Sequence, residues 1–157
     1  MNETIKVTKT SKITAEHWQL FLHADPSREL VADYLSQGIV FEVRKGSTIA
    51  ATIVMLPLNA GQLEIKNLAV APQLENQGLA KVLLNFAKHY ARDHHYRELI
   101  VGTGSTSFKQ LYLYQEVGFR ITGVKRNFFV DHYHNPIWEN HLQLRDMIVL
   151  KMKVNES

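Results

Sequence analysis

The chain of 157 residues contains no cysteine. That excludes disulfides, thiolate metal sites and cysteine nucleophiles, and it fits a reducing cytoplasm, the location expected. Long apolar runs are also missing. None approaches the length of a membrane span, and the opening MNETIKVTKTSK has no apolar core, so no secretory leader is expected. Charge of one sign is scarce. A net charge of +3 is small and dispersed along the chain, which reads as solvated surface and gives no case for nucleic acid. Repeats, low-complexity tracts and linkers are absent too. What remains is 45 % apolar and 21 % charged, ordinary for a soluble globular protein. One domain over residues 1–157 with a sizeable core is the expectation.

Residues 63–90, LEIKNLAVAPQLENQGLAKVLLNFAKHY, organise the rest. LEIKNLAV reads as a buried strand, and Pro72 forbids its continuation because it lacks an N–H. Leu79, Val82, Leu83, Phe86, Ala87, Tyr90 and Ala91 then recur at the spacing of one apolar helix face. Between strand and helix lies QLENQGLA. The first N–H groups of a helix have no intrahelical partner and sit at the positive end of its dipole, so this helix start suits an anion, most often a phosphate.

The other elements follow the same cues. Residues 4–9 alternate as a strand. Thr14 is an N-cap candidate for a helix that carries Trp18, Phe21 and Leu22 inward. Asp25-Pro26-Ser27 ends it. A second helix bears Leu30, Val31 and Tyr34 or Leu35 on one face and stops by Gly38. Residues 39–44 and 48–56 form a hairpin about Lys45-Gly46-Ser47. Residues 98–101 are a strand closed by Gly102-Thr103-Gly104. Residues 106–116 are a short helix that Gly118 terminates, and Ser105 or Ser107 could cap its start. Residues 119–124 are a strand, 131–141 an irregular aromatic and histidine-rich segment, and 147–154 the last strand. This order predicts an α/β protein of the α+β kind: a central mixed, mostly antiparallel sheet with helices on both faces.

A dinucleotide-binding Rossmann reading needs G-x-G-x-x-G, and only Gly78 is present. His132, His134 and His141 share one segment, but their spacing matches no zinc pattern, so no metal is expected. His94-His95 reads as an exposed helix end.

Two motifs in order carry a resemblance. Val70, Pro72, Gly78 and Ala80 match a strand, a proline and Q/R-x-x-G-x-G/A opening a helix, and LYQEVGF matches L-Y-x-x-x-G-F. On these residues the chain resembles the GNAT family of N-acetyltransferases over nearly its whole length, and ENHLQLRDMIVLKM is similar to a bacterial subgroup of it. The resemblance implies the acyl-CoA N-acyltransferase fold in a single domain. It implies acetyl-CoA as co-substrate, no metal, and an amine acceptor, either a small molecule or a peptide amine. A homodimer is a family-level expectation that no residue here argues for.

The resemblance also assigns residues. The pyrophosphate falls on the turn and helix start formed by Glu75, Asn76, Gln77, Gly78, Leu79, Ala80 and Lys81. Glu75 stands where the family usually has Gln or Arg, so Gln77 or Lys81 would supply the missing donor. Pantetheine would lie against Leu68, Ala69 and Val70, which requires the strands at 63–70 and 98–101 to diverge. Tyr114 stands where the family keeps a tyrosine near the coenzyme sulfur and would act as general acid, while a core tyrosine beside Leu111 is the plain alternative. Glu64, where histone-modifying relatives carry a catalytic carboxylate, would be the general base through a water, or else an ordinary strand carboxylate paired with Lys66. Ser107 stands where the family often has an asparagine touching the coenzyme. Residues 128–139, with Phe129, Tyr133, Trp138 and Glu139, would line the acceptor pocket or complete the core. The departure at Glu75 leaves a second function open, a non-catalytic acyl-CoA-binding sensor or interaction module.

Overall fold

A computed structural model describes residues 5–154. The first strand, β1, is Val7–Lys9. Thr4, the predicted start of that strand, lies outside the described residues. Helices α1 (Ala15–Ala24) and α2 (Arg28–Leu35) precede an antiparallel run of β2 (Ile39–Lys45), β3 (Thr48–Pro57) and β4 (Gln62–Val70). A single 3-10 turn at Pro72–Leu74 leads to α3 (Leu79–Asp93). Then come β5 (Glu98–Gly104), α4 (Phe108–Glu116), β6 (Arg120–Lys125), α5 (Phe128–His132), a small hairpin of β7 (Trp138–Glu139) and β8 (Leu142–Gln143), and β9 (Met147–Lys153).

Seven strands form one sheet in the order β1-β2-β3-β4-β5-β9-β6. Among the described residues only β4 and β5 pair in parallel; the other neighbours are antiparallel. Helices cover both faces, as the order of elements predicts. Val54 packs with Phe21, Val31 and Tyr34 of α1 and α2, whereas its neighbour Met55 packs with Leu83 and Ala87 of α3. Adjacent residues of one strand point to opposite faces, so the two helical layers must lie on opposite sides.

A buried hydrogen bond between His17 and Glu42 ties α1 to the sheet. His17 is 1 % exposed; its Nδ1 accepts from the Thr14 N–H at 3.0 Å, so Nε2 carries the proton and donates to Glu42 at 2.9 Å. Burial works against the Glu42 charge, but hydrogen bonds from His17, Thr10 and Arg44 hold its carboxyl below the usual range.

Four local expectations differ. In α1 the fully buried side chains are His17, Leu20 and Phe21, while Trp18 and Leu22 are half-buried flanks. A hydrogen-bonded histidine can take a core position, and the apolar spacing does not register it. Second, Gly102-Thr103-Gly104 does not close β5 but continues it, because β9 pairs along all three residues. A side chain at Gly104 would meet Leu144 and come within 2.8 Å of the Ser107 hydroxyl, so the glycine is there for close approach. Third, residues 131–141 are irregular only in their middle, 133–137: α5 runs to His132, and β7 with the turn to β8 occupies their end. Fourth, α4 starts at Phe108, two residues later than the predicted 106.

Candidate active site

The sheet opens where the chemistry is expected. Parallel pairing runs from Gln62 with Glu98 to Ile65 with Val101 and stops there. Yet β4 continues to Val70 along β3, and β5 continues to Gly104 along β9. The two strands therefore part, leaving a gap beside residues 66–70. A register shift between Val54 and Met55 of β3 sets Ile65 opposite Met55 and Asn67 opposite Val54, so Lys66 bulges out of β4. Such an extra residue bends a strand.

The gap exposes backbone groups of known direction. The Ala71 N–H donates to the Ala50 carbonyl of β3 at 2.8 Å. Successive peptide groups alternate sides along a strand, so the N–H groups of Leu68 and Val70 point away from β3 and into the gap. The Ala69 groups face β3. An extended amide-bearing chain laid in the gap would find the partners that an edge strand offers.

At the near end of the gap, Gly78 is the N-cap of α3 at φ 82°, and an added Cβ there would meet nothing within 4 Å. The Cβ side of Gly78 is thus open at the start of a fifteen-residue helix, where partial positive charge gathers. The side chains of the turn point to partners around it. Glu75 faces His23 of α1, whose Nε2 lies 3.4 Å from its carboxylate. Asn76 accepts from Lys109 of α4 at 2.9 Å, and Gln77 accepts from Lys45 of β2 at 2.9 Å. Lys81 pairs with Glu116 at 2.6 Å. Lys45 and Lys109 escape sequence reading because they come from distant elements. They bring two cations to the turn that also carries Glu75. Leu79 is buried in the core and Ala80 half-buried behind it.

Tyr114 is 6 % exposed and belongs to the main core cluster, its ring edge-on to Phe119 at 5.8 Å. Burial alone pushes its phenol up to about 12. Glu64 lies on β4, half-buried, with its carboxylate 3.5 Å from the Lys66 ammonium. Ser107 occupies the N-cap position of α4, but its hydroxyl accepts no helix N–H and donates to Glu139. Thr106 donates to the same carboxylate at 3.4 Å. Tyr133 donates to Asp25 at 2.8 Å, so the aromatic segment is tied to the loop between α1 and α2. Among the described residues no three His, Cys, Asp or Glu side chains converge as a metal site needs, and no helix is long and apolar enough to cross a membrane.

Comparison with known proteins bears on this geometry. The profile of the acetyltransferase (GNAT) family matches residues 9–119. The uncharacterised N-acetyltransferase YvbK of Bacillus subtilis is 34 % identical over 148 residues, covering 94 % of this chain and 96 % of that protein. A crystal structure of a GNAT family acetyltransferase from Elizabethkingia anophelis with acetyl-CoA bound superposes with a TM-score of 0.92 at 40 % identity, over 97 % of this chain and 99 % of that one. A Bacillus subtilis acetyltransferase in complex with CoA superposes with a TM-score of 0.91 at 34 % identity, over 96 % and 99 %.

Proposed function

Since this chain belongs to the GNAT acetyltransferase family and is an acyltransferase that uses acetyl-CoA, we propose that it acetylates an amine by direct attack within a ternary complex. The reading rests above all on the gap between β4 and β5, with Gly78 and the start of α3 at its mouth. The pyrophosphate of the coenzyme would meet the N–H groups of residues 78–81, with Lys45 and Lys109 beside it. Pantetheine would lie along Leu68 to Val70 as an added strand.

Attack requires a lone pair on nitrogen. An alkylamine with a pKa near ~10.4 is neutral in only about one molecule in 2,500 at pH 7, so a proton acceptor or a desolvated site must raise that fraction. Glu64 serves as that acceptor through a water, with the Lys66 ammonium 3.5 Å from its carboxylate. The nitrogen bonds to the thioester carbonyl carbon, and the resulting oxyanion is met by the Val70 N–H that faces the gap. The carbon–sulfur bond then breaks, giving the amide and CoA, while the amine proton leaves by way of Glu64.

The phenol of Tyr114 stays protonated throughout, because burial raises it to about 12. A thiol titrates near ~8.5, so complete proton transfer to the departing sulfur would cost on the order of 5 kcal/mol. Tyr114 therefore assists the leaving group chiefly by donating a hydrogen bond, and the thiolate takes its proton as it reaches solvent.

Amine-dependent CoA release from acetyl-CoA tests the proposal, measured against pH for the wild type and for Glu64→Gln. The wild type should show an acidic limb that the variant loses. An unchanged profile in the variant would remove Glu64 from the mechanism. No release with any amine would sink the reading as a whole.

A further inference from the structure

Asp25 carries an uncompensated charge in a built surrounding. It caps α1, its own N–H donating to the Phe21 carbonyl at 2.9 Å, and Pro26 stiffens the chain just after it. Its carboxylate is half-buried and receives the Tyr133 hydroxyl at 2.8 Å and the Ser27 N–H at 3.2 Å on Oδ1, and the Tyr34 hydroxyl at 3.2 Å on Oδ2. Each carboxylate oxygen accepts about two hydrogen bonds, so Oδ2 retains one free position.

No cation is paired with Asp25 among the described residues. Lys66 pairs with Glu64 at 3.5 Å and lies 5.7 Å from the centre of the Tyr34 ring, and Arg28 stacks over the Trp18 ring at 4.4 Å. A half-buried carboxylate held by neutral donors but lacking a counter-charge calls for one. Both phenols answer to the same charge. Burial, then the Asp25 charge and hydrogen bond, raises Tyr133; Tyr34 is raised chiefly by burial, with Asp25 adding to it.

A second observation points the same way. Asn67 is 4 % exposed and donates its amide to the Tyr34 hydroxyl at 2.9 Å and to the Phe21 carbonyl at 3.0 Å. Its buried carbonyl oxygen accepts from nothing. Asn67 immediately precedes Leu68, where the open backbone of β4 begins. The cluster thus lies on the α1/α2 face of β4, one residue before the open backbone at Leu68, with the loop between α1 and α2 and Tyr133 around it.

We infer that Asp25, with Tyr34 and Tyr133 orienting it, is a cation subsite that selects acceptors bearing a second protonated amine besides the one acetylated. The inference rests on the acetyl transfer proposed above. The reacting amine sits neutral in the gap, while the second, ammonium group donates to Oδ2 of Asp25.

The test compares the full chain on matched pairs of equal carbon length: butylamine with putrescine, pentylamine with cadaverine, and hexylamine with its terminal diamine. For at least one length the diamine should be preferred by about tenfold or more in kcat/KM, chiefly through KM. Asp25→Asn keeps the shape and one acceptor oxygen for Tyr133 and the Ser27 N–H, exchanges the acceptor facing Tyr34 for an amide donor and removes the charge, and it should bring that diamine down to the level of its monoamine. Acetyl-CoA stabilisation in thermal unfolding reports that the variant is folded. Equal use of monoamine and diamine at every length by the wild type, a result that needs no variant, would overturn the subsite. So would a preference that survives Asp25→Asn. Release with no amine of any kind would instead overturn the transfer reading beneath it, so the two failures are told apart.

Discussion

At the scale of single residues, Tyr114 makes the sharpest demand. Tyr114→Phe removes one oxygen and leaves the ring in the core, so the fold and acetyl-CoA binding should persist. Loss of the hydrogen bond to the departing sulfur should lower amine-dependent CoA release by about 10²-fold. Release at the wild-type rate would return Tyr114 to a packing role beside Leu111. The same burial gives a pH prediction. The phenol titrates near ~10 in the unfolded chain and about 12 in the fold. A raised folded value means that the stabilisation is complete below pH ~10 and is lost as pH rises toward 12. Tyr34 and Tyr133 shift in the same direction. Unfolding midpoints measured at steps from pH 8 to pH 11 should therefore be flat at first and then fall. The position of Tyr114 is legible from LYQEVGF because the motif is local. The partners of Asp25 are not legible, since Tyr133 lies 108 positions away and only tertiary folding brings it near.

At the scale of elements, the start of α3 carries the argument. Gly78→Ala should cost about 1–2 kcal/mol for a side chain held at positive φ, a drop in Tm of roughly 3–6 °C. It should also raise the KM for acetyl-CoA, because the new methyl enters the space in front of the helix. A stability loss without a change in KM would take the phosphate away from this turn. Lys45→Ala together with Lys109→Ala should weaken acetyl-CoA binding roughly tenfold at low salt, and the difference should shrink as salt screens it. A salt-independent difference would argue for lost packing instead of lost charge. The turn itself is readable from Pro72 and Gly78, and the long apolar face of α3 from its spacing. That spacing omits Leu84, which is fully buried as well. What cannot be read locally is the continuation of β5 through Gly102-Thr103-Gly104. Those residues resemble a turn until β9 supplies hydrogen-bond partners, and Gly104 then proves to serve Leu144 and Ser107. Likewise the serine at the start of α4 reads as a cap, while Glu139 from a distant hairpin takes its hydroxyl.

At the scale of the whole molecule, the mixed sheet with helices on both faces follows from the order of elements. The seat of β9 between β5 and β6 does not, because residues 126–146 intervene and carry α5 and a small hairpin of their own. That seat matters: with β9 pairing the far side of β5 along its full length, β5 can leave β4 after Val101 without losing its other partner. The divergence required for a pantetheine arm is thus a property of the sheet as a unit. If acetyl-CoA occupies this opening, backbone hydrogen exchange measured with and without acetyl-CoA should slow on its addition at Leu68 and Val70, whose N–H groups face the gap, and at residues 78–81, with β1 and β2 unchanged. Stabilisation of the protein by acetyl-CoA with no protection at Leu68, Val70 or the start of α3 would contradict it.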